Sequence, residues 1–152
     1  MPMFGETAHM QRWAFKLLQS EAEITAGFEL MRKLRPHLAD VTSFSQQLHR
    51  QSHQGYRLSG VWQDHQLAGL IGFRKSENLL YGSYIYVDDL VVDSALQGSG
   101  LGAKLLDYVR EEGKQLSCTY LVLDTGLEKS LAQRFYFREG LLAKGMHFVQ
   151  QL

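Results

Sequence analysis

Between residues 97 and 102 the chain reads Gln-Gly-Ser-Gly-Leu-Gly, directly before a stretch in which apolar residues recur at helical spacing. A helix N-terminus presents unpaired backbone N–H groups and the positive end of a dipole, and glycines let an anion approach that backbone without a Cβ in the way. The segment is therefore suited to holding a phosphate. Glycine-rich turns serve several phosphate ligands, and context separates them. A Walker A loop closes on Gly-Lys-Ser/Thr, whereas Gly102 is followed by Ala103 and Lys104. Gly98, Gly100 and Ala103 do fit the GxGxxA of a dinucleotide-binding turn, and Asp124 follows the next strand where a ribose-binding acid belongs. The local pattern leaves that ligand open; the context argues against it. In a dinucleotide-binding turn the first glycine follows its strand almost directly at the start of a large domain, while here Asp93 to Gln97 intervene and only the last third of the chain remains.

Other chemistries find less support. Cys118 is the only cysteine, which excludes an intrachain disulfide and a four-cysteine metal site; burial in a strand is its ordinary role. His49 and His53 share a helix face in HRQSH, but Arg50 stands where a zinc protease carries glutamate, so no metal site is expected. Lys plus Arg equals Asp plus Glu at 16 each, and no overall positive field exists to attract nucleic acid or anionic lipid. The longest apolar stretches are strand-length, far short of the roughly 20 residues that cross a bilayer. The N-terminus lacks a basic region followed by an apolar run. A cytoplasmic protein with no nucleic-acid or membrane partner is expected.

The elements that must position the turn read as one domain over residues 1–152, with residues 1–10 as a flexible arm. Trp13 to Leu18 alternates as a strand. Ile24, Phe28 and Met31 lie at helical spacing from Glu21 onward, and Pro36 marks the end of that helix. Phe44 and Leu48 repeat the four-residue step on a second helix. Tyr56–Trp62 and Leu67–Arg74 form a hairpin about the turn Gln63–Gln66, and Tyr84–Val92 is a long strand. The helix after the glycines has the apolar stripe Leu101, Leu105, Tyr108 or Val109, and Leu116. Thr119–Leu123 is a strand, and Lys129–Glu139 is a helix with Leu131, Ala132 and Phe135 inward, ended by Gly140. Lys144–Gln151 alternates as a last strand. This order predicts an α/β fold whose antiparallel strands come first and whose βαβ crossover carries the glycine turn.

Gln97, Gly100 and Gly102, in the order QxxGxG after a strand ending DLVV, resemble the acetyl-CoA-binding motif of the GNAT superfamily of N-acetyltransferases. Ala132, Phe135, Tyr136 and Gly140 resemble the AxxFYxxxG helix of the same superfamily, and the likeness in element order runs over nearly the whole chain. More narrowly, LRPHL, DDLVV, LDTG, RFY and HF resemble a bacterial branch with poorly defined acceptors. This chain departs from that branch with Gln133 in place of histidine and Thr125 in place of serine. Gln97 also replaces the more frequent arginine, which removes one charge near the pyrophosphate and leaves the backbone donors intact. The resemblance implies a GNAT fold, a mixed and mostly antiparallel sheet of six to seven strands flanked by about four helices.

It also implies acetyl-CoA as cosubstrate, without a metal. In such proteins the strand before the turn carries a bulge that splays it from its neighbour, and pantetheine inserts there as a pseudo-strand; Leu90, Val91 and Val92 would make those contacts. A backbone N–H at Leu90 or Val91 would face the thioester oxygen. Gln97, Gly98, Ser99, Gly100, Leu101, Gly102 and Ala103 would hold the pyrophosphate, and Tyr136 would face the sulfur and donate a proton to the departing thiolate.

A lysine-like amine with pKa about 10.4 costs roughly 4–5 kcal/mol to deprotonate at pH 7, which makes a general base useful. Asp88 matches the strand position of an acidic or histidine base in several relatives, and Asp89 is its neighbour on the opposite strand face. The competing reading of both acids is pairing with basic groups or turn capping. The acceptor wall is expected to include Arg35, His37 and Asp40 between the first two helices, Tyr56, and the end of the Asp88 strand. Asp124 either touches substrate or starts the turn with Gly126, and His147 is either part of the wall or an ordinary half-buried imidazole. The implied activity is direct acetyl transfer to a primary amine of a small molecule or peptide in a ternary complex. The alternative is a non-catalytic acyl-CoA-binding sensor. A homodimer is the expectation from family analogy, though no stretch of the sequence marks an interface.

Overall fold

In the computed structural model, which describes residues 13–152, a five-stranded sheet runs in the order β1-β2-β3-β4-β5. The expected N-terminal arm, residues 1–10, lies outside the described residues. The strands are β1 (Ala14–Leu17), β2 (Tyr56–Gln63), β3 (Gln66–Asn78), β4 (Gly82–Val92) and β5 (Tyr120–Leu123). Neighbours pair antiparallel up to β4. Asp64 and His65 turn the β2–β3 hairpin with positive φ, the backbone that a two-residue hairpin turn requires. Strands β4 and β5 are parallel, because the chain returns through α3 (Leu101–Gln115) rather than through a tight turn.

Each face of the sheet is covered by helices whose apolar stripes match its own. On one face Leu101, Leu105, Leu106 and Val109 of α3 pack with Val61, Ile71, Phe73, Ile85 and Val87. Val109 is the fully buried member of the stripe, and Tyr108 packs beside it partly buried, its hydroxyl hydrogen-bonded with Ser59. On the other face α1 (Glu21–Leu34) and α2 (Val41–Ser52) place Phe28, Leu30, Met31 and Phe44 against Tyr56, Leu58 and Leu70. No described helix is long and apolar enough to cross a membrane.

Two expectations are corrected. The last strand, Lys144–Gln151, does not form, so the sheet has five strands instead of six to seven; beyond Leu141 no backbone group bonds to another described residue. Alternation makes a strand only where an edge and an apolar face are in reach, and Phe148 and Val149 stand 85% and 80% exposed. Leu131 of α4 (Ser130–Arg138) is likewise exposed rather than inward, whereas Phe135 meets the backbone of α3 at Gly102.

Helix α1 starts at a capping box: Ser20 Oγ accepts from the Glu23 N–H, and the Glu23 carboxylate accepts from the backbone of Ser20 and Gln19. The Lys16 ammonium, with the two backbone donors, holds the Glu23 carboxyl down to about 2. Because this folded value lies below the ordinary 4.5, the link stabilises the fold above that range and fades as pH falls through it. Ser20→Ala is expected to lower stability by about 1 kcal/mol in urea unfolding near neutral pH. Glu23→Gln should lose less stability than the natural chain does between neutral and strongly acidic pH.

Candidate functional site

The register of β4 against β3 changes at one point: Asp89 pairs with Gly72 and Val87 with Phe73, which leaves Asp88 as an extra residue. Such a bulge bends the strand and shifts the facing of the residues after it. Val87, Leu90 and Val92 all pack on the α3 side, and Val91 packs on the α1 and α2 side. Both acids consequently serve the face under α1 and α2, rather than opposite faces as simple alternation implies. Pairing with β5 stops at Val87, so from Asp88 to Val92 the strand is bonded to β3 alone. The edge at Leu90, Val91 and Val92 is therefore open, in the segment where the bulge was expected.

The two carboxylates have different surroundings. Asp89 accepts from Arg35 Nε at 3.1 Å on one oxygen, which also lies 3.0 Å from Nη2 as an ion pair, and from the Tyr56 hydroxyl at 2.7 Å on the other. Arg35 also donates to the Asp88 carbonyl at 2.9 Å, bracing the bulge from α1. Burial, then the Asp89 charge, raises the Tyr56 phenol well above its ordinary value, so it stays a proton donor. Gly72 is needed beneath it, since a Cβ there would collide with the Tyr56 hydroxyl. The Asp88 carboxylate receives one bond among the described residues, from Arg74 Nε at 3.0 Å, and Arg74 lies over the Tyr56 ring at 5.3 Å. Burial raises the Asp88 carboxyl above its usual value despite the opposing pull of Arg74.

Arg35, His37, Tyr56 and Asp89 line a cavity of about 260 Å³ closed by Met31, Leu38 and Phe44. This unites three of the expected acceptor residues. Asp40 is not among them; it caps α2 by accepting from the Ser43 N–H at 2.8 Å. Asp124 and His147 form a second group at the end of β5: Asp124 accepts from the Tyr86 hydroxyl and pairs with His147 Nδ1 at 3.3 Å. Asp124 thus joins β5 to β4 instead of serving its turn. Asp88 stands on β4 between Tyr86 of one group and Asp89 of the other, and its charge acts on both Tyr56 and Tyr86. Tyr86 and Arg74 were not singled out by sequence reasoning. Their signal was the two-residue step Tyr84, Tyr86, Asp88 and the cross-strand place of Arg74 opposite Tyr86.

At the start of α3, Gly98 and Gly100 adopt φ of +83° and +85°, a region open to glycine and strained for other residues. Nothing lies within 4 Å of where a Cβ would be at either position. Gly100 caps the helix without a side-chain bond, and no acid stands in the first turn. The N–H groups of Leu101, Gly102 and Ala103 have no acceptor among the described residues. Ser99 differs: both its N–H and its hydroxyl bond the Leu96 carbonyl, so it shapes the turn. Gln97 is exposed beside it. Tyr136 on α4 packs against the α3-side core beside Phe135, and burial raises its phenol above the ordinary value. These open donors and the open β4 edge fit a phosphate-bearing ligand with an extended arm.

A family model described as the acetyltransferase (GNAT) family matches residues 18–140. An uncharacterized N-acetyltransferase of Bacillus subtilis is 26% identical over 122 residues, 80% of this chain and 85% of that protein. An aminoalkylphosphonate N-acetyltransferase of Salmonella typhimurium is 29% identical over 88 residues, 57% of each chain. Among solved structures, an aminoglycoside N-acetyltransferase in complex with CoA superposes with a TM-score of 0.81 at 12% identity, covering 93% of this chain and 95% of that one.

Tyr56→Phe leaves one Asp89 oxygen without its donor while keeping the ring. It is expected to cost about 1–3 kcal/mol in chemical unfolding. A loss too small to detect would show that this bond does not brace the bulge.

Proposed function

Since the chain belongs to the acetyltransferase (GNAT) family, we propose that it transfers the acetyl group of acetyl-CoA directly to a primary amine of a small molecule or peptide within a ternary complex. One observation carries the reading: the free N–H groups of Leu101, Gly102 and Ala103 and the unpaired edge of β4 lie on successive segments, with the Asp88 carboxylate at the near end of that edge. Bound acetyl-CoA supplies an activated acyl carbon and a thiolate leaving group.

The residues then divide the work. Gly98 and Gly100 let the turn approach the pyrophosphate, and the first-turn N–H groups of α3 hold it. Because Asp93 bonds Ala68, the alternating ladder turns the main chain of Val91 to Leu70 and that of Leu90 and Val92 to the open edge; these two would bond the pantetheine arm, and the Leu90 N–H would stabilise the thioester oxygen as negative charge grows there. Asp88 accepts the ammonium proton as the amine nitrogen attacks. Its raised carboxyl makes it a stronger base than a solvated aspartate, and Arg74 holds it in place. Tyr136, protonated because its phenol is raised, donates to the sulfur. Asp89 has both oxygens engaged by Arg35 and Tyr56 and acts as a strut. The cavity beside it, lined by Arg35 and His37, receives part of the acceptor. The relatives named for aminoalkylphosphonate and aminoglycoside acetylation support an amine acceptor.

Release of free CoA thiol from acetyl-CoA, with and without amino acids, polyamines, aminoglycosides, aminoalkylphosphonates and lysine peptides, tests this reading when each product is weighed. Amine-dependent release with a matching mass gain is expected. Tight acetyl-CoA binding without transfer to any amine would support a sensor, and absence of binding would overturn the site. Gly100→Asp, which strains the backbone and adds a charge, should weaken acetyl-CoA binding at least 100-fold by calorimetry. Asp88→Asn should lower kcat/KM by about 10²-fold or more. In the natural chain activity should fall as pH drops through the raised Asp88 value, and this acid limb should vanish in the variant.

A further inference from the structure

We infer that the acceptor carries an anionic group, a carboxylate, phosphonate or phosphate, a few carbon atoms away from the amine that is acetylated; the inference rests on the proposed acetyl transfer. The charge of the chain is uneven where the cavity wall is built. Over the whole sequence Lys plus Arg equals Asp plus Glu at 16 each, yet between Met31 and His53 Arg32, Lys33, Arg35 and Arg50 stand against Asp40 alone. This stretch ends α1 and contains α2, and it supplies most of the lining of the cavity beside Asp89. Asp40 is occupied within its own turn, one oxygen accepting from the Ser43 N–H and the other from the Ser43 hydroxyl. Lys33 faces Asp93. Arg32 lies over the Phe28 ring at 5.6 Å, and neither it nor Arg50 pairs with an acid among the described residues. The cover of the cavity is therefore positive in a chain without net charge, and a local field of that sign gathers anions.

The wall repeats the bias atom by atom. Arg35 Nε is fixed on Asp89 and Nη2 on the Asp88 carbonyl, while Nη1 bonds no described residue. A guanidinium already held by two nitrogens loses little further freedom when the third binds an oxyanion. Gln47 donates to the Gln51 side-chain oxygen at 2.9 Å, which leaves the Gln51 amide nitrogen as a donor, and His37 adds a ring N–H. Asp89 is the one carboxylate in this lining among the described residues, and each of its oxygens has a donor.

A second ammonium, as in a polyamine or an aminoglycoside, would have to draw Asp89 away from Arg35 and so loosen the group that braces the Asp88 bulge. An oxyanion takes up the open donors through charge-assisted bonds and leaves the brace in place. Because Arg35 bonds the Asp88 carbonyl, an anion held on it lies one residue from the carboxylate proposed as base, which sets a short spacing between the two groups of the acceptor. Met31, Leu38, Phe44 and Leu48 offer apolar surface to the carbon atoms between them.

Four aminoethyl compounds that differ only at the far end test this: β-alanine, aminoethylphosphonate, ethanolamine and ethylenediamine. Each is titrated into the protein with and without CoA, and binding is followed on the Arg35 Nε–H and His37 ring signals by NMR. The two anions are expected to bind at least about tenfold more tightly than ethanolamine, with the diamine weakest, and their own ratio separates a carboxylate ligand from a phosphonate. His37→Glu, at an exposed position, should remove the advantage of the anions, and Gln51→Glu repeats the test on α2. Anions that bind no better than ethanolamine, or a diamine that binds best, would overturn the inference whether or not transfer occurs. Anion-selective binding without acetyl transfer to any of the four would support the anion site and count against the transferase reading alone.

Discussion

Strand β4 is bonded to β5 only from Tyr84 to Val87, and the next residue, Asp88, is the one inserted relative to β3. The whole candidate site depends on this parting of the sheet. Past it, β4 keeps one bonded side through β3 and offers the other to a ligand, while the chain runs on through a 3-10 turn (Ser94–Leu96) into the glycines that open α3. Backbone groups left unpaired are costly when buried, so an edge and a helix start that both remain open are natural places for an outside partner.

A bulge of this kind needs support, since it removes pairing from the middle of a sheet. Arg35 supplies it from α1 by bonding the Asp88 carbonyl and the Asp89 carboxylate together, and Tyr56 closes the other Asp89 oxygen from β2. Gly72 leaves room for the Tyr56 ring at the point where the register shifts. The result separates two neighbouring acids chemically. Asp89 has a donor on each carboxylate oxygen, whereas the Asp88 carboxylate has one bond among the described residues and is raised by burial.

Much of this was legible in the residues. The helical steps of Ile24, Phe28 and Met31, the hairpin about Asp64 and His65, and the stripe of α3 all follow from periodicity, and Gly98 and Gly100 of the glycine turn take the positive φ that such a turn requires. Arg35, His37 and Tyr56 do meet in one cavity. What escaped was long-range or depended on a single residue. An insertion at Asp88 looks like unbroken alternation in one strand, because only the partner strand reveals the register. Tyr86, Asp124 and His147 are brought together from three distant segments. Lys144–Gln151 alternates like a strand, yet alternation does not say which edge a strand finds.

If the open donors of Leu101, Gly102 and Ala103 and the free edge of β4 hold one extended ligand, both segments must respond to it together. Amide chemical shifts recorded by NMR during titration with acetyl-CoA test it most directly. The largest changes are expected on Gly98 to Ala103 and on Leu90 to Val92, saturating together with one affinity. Changes confined to the cavity around Arg35 and Phe44, or none at all at saturating ligand, would contradict it.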